Sequence, residues 1–182
     1  MSNVSRVAME RGWKKIGETE KKSFKKKALH IAWEMSPGVE LSYLSDSKER
    51  TAYMLITSRS TSDLDSYVAQ LVDADLDFIT PDELLERVAS ENSPKGKGLA
   101  LIRSGIGAPE NPTQPYVRAF FGAMRDPSPT VRLSGITAMG YAEWPEFLEL
   151  LDAVALEDDD KEVKAHARSM ASAFRKVARG EE

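Results

Sequence analysis

Asp126-Pro127-Ser128-Pro129-Thr130-Val131-Arg132-Leu133-Ser134-Gly135-Ile136-Thr137-Ala138-Met139-Gly140 is the stretch that decides the fold. Pro127 and Pro129 stop any preceding helix, because proline lacks an N–H and restricts the residue before it. Ser128 is placed to cap a new helix, with Pro129 at its first position. In that helix Val131, Gly135, Ala138 and Met139 share one face, and the small residues among them admit a close neighbour. Upstream, residues 115–125 set Val117, Phe120, Phe121 and Met124 at helical spacing. Two short helices joined by so brief a turn pack antiparallel.

The pattern recurs. Trp144-Pro145 opens a helix with the apolar stripe Phe147, Leu148, Leu151, Val154 and Ala155. Glu157-Asp158-Asp159-Asp160 interrupts it, and another helix runs from Lys161 with Val163, Ala167, Met170, Ala171 and Phe174 inward. Acidic residues ahead of a helix suit its positive dipole end. Asp126 precedes Arg132 by six residues, Asp158 precedes Lys164 by six, and Glu91 precedes Lys97 by six. Successive second helices are therefore 35 and 32 residues apart.

With its Asp six residues upstream, the segment from Val131 to Gly140 resembles the second-helix signature of HEAT repeats, which place an Asp and an Arg at that separation. The resemblance covers 81–179, with the unit at Glu91 departing from the pattern at Gly96 and Gly98. It implies an α-α superhelix in which stacking supplies the core that a single pair lacks. It also implies polar ladders between successive turns, and so a structural role for Asp126 and Arg132. Some HEAT-like proteins bind DNA as alkylpurine DNA glycosylases, and others are lyases acting on tetrapyrroles.

The N-terminal half reads two ways. In 21–35, Phe24, Ala28, Ile31 and Met35 fit a helix face, whereas Leu29, Ile31, Trp33 and Met35 fit strand alternation. The many good helix formers favour a helix. Residues 39–44 and 51–57 read either as further helix, begun at Asp46-Ser47-Lys48-Glu49, or as a small β-hairpin. Thr61-Ser62-Asp63 caps a helix with the stripe Leu64, Tyr67, Val68 and Leu71, and Thr80-Pro81-Asp82-Glu83 opens the next. The expected fold is mainly all-α: a helical region over 1–80, with a possible hairpin, and HEAT-like pairs over 81–182.

Composition bounds the chemistry. The 182 residues are 41% hydrophobic and 30% charged. With no cysteine, disulfides, thiolate metal sites and cysteine nucleophiles are excluded. No apolar run approaches a membrane span, and the first six residues lack the apolar core of a signal peptide, so a cytoplasmic protein with no membrane partner is expected. The net charge of -4 conceals a basic head: nine Lys or Arg against three Glu give residues 1–30 a charge of +6, leaving -10 elsewhere.

His30 and His166 are distant in sequence and lack neighbouring ligands, so no metal or cofactor is expected. Lys95-Gly96-Lys97-Gly98 lacks the full phosphate-loop spacing and reads as a turn, with Ser104-Gly105-Ile106-Gly107 as a helix exit. Asp73-Ala74-Asp75-Leu76-Asp77 lacks the glycine and terminal glutamate of a calcium loop. The clustered carboxylates sit in polar turns, without the desolvated cleft that acid–base catalysis needs.

The leading expectation is a non-enzymatic module that binds a protein partner. Arg132, Lys164 and Arg168 are its exposed basic candidates, and Trp144 is a contact residue at the end of the stack. The first alternative is nucleic-acid binding by Lys14, Lys15, Lys21, Lys22, Lys25, Lys26 and Lys27 around Trp13 and Phe24. The second is an enzyme of the HEAT-like lyase or glycosylase type, which calls for a concave pocket lined with aromatic residues; the few candidates, Trp13, Trp33 and Trp144, lie in distant segments.

Overall fold

A computed structural model describes residues 3–23, 26–46, 51–59, 64–72, 74, 76 and 79–180. The chain divides into two compact units, Met1–Phe78 and Ile79–Glu182.

The first unit is not helical throughout, and the expected all-α class is corrected to mixed α and β. Helix α1 (Asn3–Glu10) precedes four strands, β1 (Lys14–Ser23), β2 (Lys26–Ser36), β3 (Val39–Asp46) and β4 (Thr51–Ser58), and α2 (Leu64–Val72) follows them. The strands form one antiparallel meander in the order β1-β2-β3-β4. Residues 21–35, expected as a helix, lie largely in β1 and β2. The alternation Leu29, Ile31, Trp33, Met35 is the pattern the structure adopts. Ile31 stands opposite Tyr43, which stands opposite Met54; Trp33 stands opposite Leu41, which stands opposite Ile56. These side chains share one face and form a core with Val4 and Ala8 of α1 and Leu71 of α2. The hairpin weighed for 39–44 and 51–57 is present as β3 and β4. The turn between β2 and β3 uses Gly38 at φ +80°, a left-handed conformation glycine adopts without steric cost. The proposed helix starts at 46–49 and 61–63 and the acidic segment 73–77 fall wholly or mostly outside the described residues.

The second unit is a stack of helix pairs: α3 (Pro81–Ser90) with α4 (Pro94–Ile106), α5 (Gln114–Ala123) with α6 (Pro129–Ala142), and α7 (Phe147–Glu157) with α8 (Lys161–Ala178). The helix starts Thr80, Ser93 and Asp160 carry side-chain caps, whereas Ser128, expected to cap α6, makes no side-chain cap bond and is corrected to an uncapped start. Thr80 and Glu83 make a reciprocal capping box on α3, and Asp160 accepts the Glu162 and Val163 N–H groups at the start of α8. The second helices α4, α6 and α8 stack on one another in sequence order. A single core runs through the unit, from Leu101 through Phe120, Ile136, Met139 and Leu151 to Val163, all fully buried. Tyr116, Phe120, Trp144 and Phe147 form an aromatic knot inside it, with Trp144 stacked on Phe147 at 5.4 Å.

One sequence expectation about α4 is corrected. Lys95 to Gly98 is its first turn rather than a connecting loop, with Ser93 accepting the Gly96 N–H at 3.1 Å. The helix ends at Ile106, within the expected exit, and Gly105 lies in its last turn. The glycines are contact residues. A Cβ on Gly98 would stand 2.5 Å from Ser134 Oγ, and one on Gly105 would stand 2.4 Å from the Ala138 carbonyl oxygen. Both helices need backbone proximity there, which overrides the poor helix propensity of glycine.

Candidate interaction surface

The acid–cation spacing of six residues builds a ladder, with its rungs running between pairs rather than within them. In each pair an acid accepts the N–H of the residue two positions on: Glu91 from Ser93 at 3.1 Å, Asp126 from Ser128 at 3.0 Å, Asp158 from Asp160 at 2.8 Å. These contacts fix the turn that opens the second helix. In the first two pairs the cation six residues after the acid then reaches the next pair. Lys97 Nζ donates to Asp126 Oδ2 at 2.8 Å. Arg132 grips Asp158 with two bonds, Nε to Oδ2 at 2.8 Å and Nη2 to Oδ1 at 2.9 Å. It also donates to the backbone carbonyls of Asp126 and Pro127, tying its own turn to the following one.

The electrostatics follow the geometry. Burial pushes the Asp126 carboxyl up, but the Lys97 bond, the Ser128 N–H and the Lys97 and Arg132 charges outweigh it, holding the group below its ordinary 3.8. Asp158 is likewise held down: burial raises it, and the Arg132 bonds, the Asp160 N–H and the Arg132 charge prevail. Arg132 is raised, by its Asp158 hydrogen bonds first.

These contacts sort the residues expected at the surface. Arg132 is 7% exposed and lies inside the stack, so its expected place on an exposed contact face is corrected. Its polar atoms are consumed by the ladder. Trp144 is 2% exposed and donates its indole N–H to the Pro109 carbonyl at 3.0 Å, so it is a core residue and no surface contact. Arg168 is exposed on α8 and donates to the Ala155 carbonyl at 3.4 Å. Lys164 is half-buried on the same helix. His166 is half-buried, with Nε2 3.1 Å from Thr137 Oγ1 across the α6–α8 contact. His30 is exposed beside Ser42 Oγ at 3.0 Å.

The basic head lies largely on a hairpin. Lys14 and Lys15 are exposed on β1, where Lys15 pairs with Glu18. The register sets Lys21 opposite Ala28, Lys22 opposite Lys27 and Ser23 opposite Lys26, so four lysine positions gather at one end of β1 and β2. Lys25 lies outside the described residues. Trp33 is a core residue of the sheet unit, with Trp13 packed against that core, and Trp144 is a core residue of the helical unit.

Among the described residues no group of three or more His, Asp or Glu is arranged to hold a metal ion. No helix among them is long and apolar enough to cross a membrane. What sequence reasoning missed is burial. Spacing identified the ladder residues, but nothing in the sequence distinguishes a cation facing the next pair from one facing solvent. No family model, curated protein or solved structure matches the chain.

Proposed function

We propose that this chain is a non-enzymatic, protein-binding module whose second unit is a HEAT-like stack. The supporting observation is the repeated rung: Lys97 to Asp126, then Arg132 to Asp158. Such a ladder fixes each pair against the next and makes the stack a rigid carrier of exposed side chains, which is what recognition of a partner needs. The buried Arg132 is used up in holding the stack together, so the work of binding falls to the outer helix surfaces. The test is affinity capture from native lysate at low salt, with and without nuclease. A protein retained in both samples supports the module. Nucleic acid retained alone would reject it.

Nucleic-acid binding is a second reading, favoured by the hairpin register. A polyanion would meet the lysine positions 21, 22, 26 and 27 that the register gathers at one end of β1 and β2. Under this reading, affinity for a single-stranded oligonucleotide falls steeply between 50 and 200 mM salt, on the order of tenfold or more. Replacing Lys21, Lys22, Lys26 and Lys27 with Gln flattens that dependence. Salt-insensitive binding, or none, would remove this reading.

A further inference from the structure

The ladder has an unfilled rung. Lys97 and Arg132 each hold the acid of the following pair, and Lys164 is the next cation in that register. Among the described residues no carboxylate pairs with it.

The rest of the outer face of α8 repeats the way α4 receives α6 and α6 receives α8. Counting from the rung cation, α4 meets its neighbour at Gly98 and Gly105, one and eight residues on. Helix α6 meets its neighbour at Thr137 and Gly140, five and eight residues on. In both cases the incoming helix supplies the second and sixth residues after its own rung position: Ser134 and Ala138, then His166 and Met170. The corresponding receiving positions on α8 are Ala165, Ser169 and Ser172, all small and all exposed. One position does change. Leu101 and Ile136, four residues after the rung cation, are fully buried, and their counterpart on α8 is the exposed Arg168.

Charge selects the occupant. A second copy of this chain would bring Glu91 towards Lys164. It would also place Arg103 where Ala138 and Met170 sit, over Ser172 and one helical turn from Arg168, and like charges brought that near disfavour the pairing. We propose that the outer face of α8 docks an acidic helix of a partner protein. A carboxylate in the turn before that helix takes the rung on Lys164. A second carboxylate pairs with Arg168, and the helix backbone lies against Ala165, Ser169 and Ser172. This rests on the protein-binding reading and gives it a surface and a partner chemistry.

The test uses the full chain. It contains no cysteine, so Ala173→Cys places a single fluorophore at the edge of this face. The probe is a synthetic alanine-rich helix with three Asp ahead of its first turn and Glu along one side; the control carries Asn and Gln instead. The acidic probe should give a saturable response. The response should weaken at least about tenfold with the control, and equally in Lys164→Glu/Arg168→Glu. Ser172→Gln should abolish it by filling the approach, with circular dichroism unchanged. Equal binding of the two probes, no response, an equal loss in Lys14→Glu/Lys15→Glu, or a signal set by the concentration of the chain alone would each overturn the proposal. The last outcome would assign the face to self-association. Capture from lysate separates the two readings. A partner retained equally by Lys164→Glu/Arg168→Glu removes this face and leaves the module standing. No partner on the wild-type chain, with probe binding intact, removes the module and leaves the face.

Discussion

Arg132 makes five donor contacts from one buried side chain, and two of them form a fork on Asp158. Its third carboxylate contact, to Asp159, is with a side chain that is 93% exposed and adds little. The fork is different, because both partners are more than nine-tenths buried. Removing one partner leaves an uncompensated charge inside the stack, at a cost of about 3–5 kcal/mol. Arg132→Ala should therefore lower the urea midpoint strongly with the m-value unchanged, and a loss below about 1 kcal/mol would mean the rung is solvated. The same carboxylates set an acid limit. Asp126 and Asp158 are held below the ordinary 3.8, so the folded state binds fewer protons there than the unfolded chain. Their stabilisation is fully present above about pH 5 and is lost as pH falls through 3.8 towards the native values. Urea midpoints between pH 6 and pH 2.5 should fall on the acid side, and Asp158→Asn should flatten that fall while lowering the neutral plateau. A profile of Asp158→Asn parallel to the wild type would show that the rung does not contribute to acid stability.

Helices here are selected by their contacts as much as by their own propensity, and glycine gives the clearest measurement. Gly105→Ala improves helix propensity by about 1 kcal/mol. Yet the new methyl would meet the Ala138 oxygen at 2.4 Å and Ala138 Cα at 2.6 Å, both backbone atoms that cannot turn aside. The α4–α6 contact must open, at about 1–3 kcal/mol, so the net change is destabilising. Gly122→Ala meets nothing within 4 Å near the exposed end of α5 and should stabilise by about 0.5–1 kcal/mol. Thermal melts of the two variants should move in opposite directions; a shared direction would show that propensity alone decides. The same physics explains what the sequence disclosed. Helices α5 to α8 were legible because proline and acidic punctuation frames an apolar period of 3.6. The start of α4 was not, because Gly96 and Gly98 read as a turn when Gly98 is a contact. The sheet was hidden for another reason. Lys, Ala, Leu and Glu in 21–35 satisfy a helix as well as a strand, and only pairing with β1 and β3 decides between them. Strand β1 offers Ile16 as its sole aliphatic side chain in ten residues, too little alternation to recognise. Of the candidate surface, the sequence offered Arg168, which is exposed, and Lys164, which is half-buried, while the burial of Arg132 and Trp144 depends on neighbours that spacing does not reveal.

Charge and core are distributed differently over the whole chain. Residues 1–78 carry twelve basic and twelve acidic residues and 79–182 carry thirteen and seventeen, so the net -4 belongs to the helical unit. Within the first unit the charge is segregated, +6 over residues 1–30 and -6 over 31–78. Under the proposal for α8, a unit of net negative charge that keeps Lys164 and Arg168 on its last helix would attract an acidic partner locally against the unit's net charge, which favours orientation over strength. The cores are separate: Leu41, Trp33 and their neighbours fill one, Phe120, Ile136 and theirs the other, and no residue is shared. A cavity therefore acts first on the unit that holds it. Leu41 is fully buried, and Leu41→Ala removes about 2–5 kcal/mol of packing from the sheet unit. Residue-resolved hydrogen exchange should show lost protection across β2 and β3, with the amides of α4, α6 and α8 retaining theirs. Phe120→Ala should give the reverse pattern, by about 3–5 kcal/mol. Equal loss in both units from either variant would mean that they open as one cooperative body. The ladder would then stabilise the sheet as well as the stack, and Arg132→Ala would have to deprotect β2 and β3 along with α6 and α8.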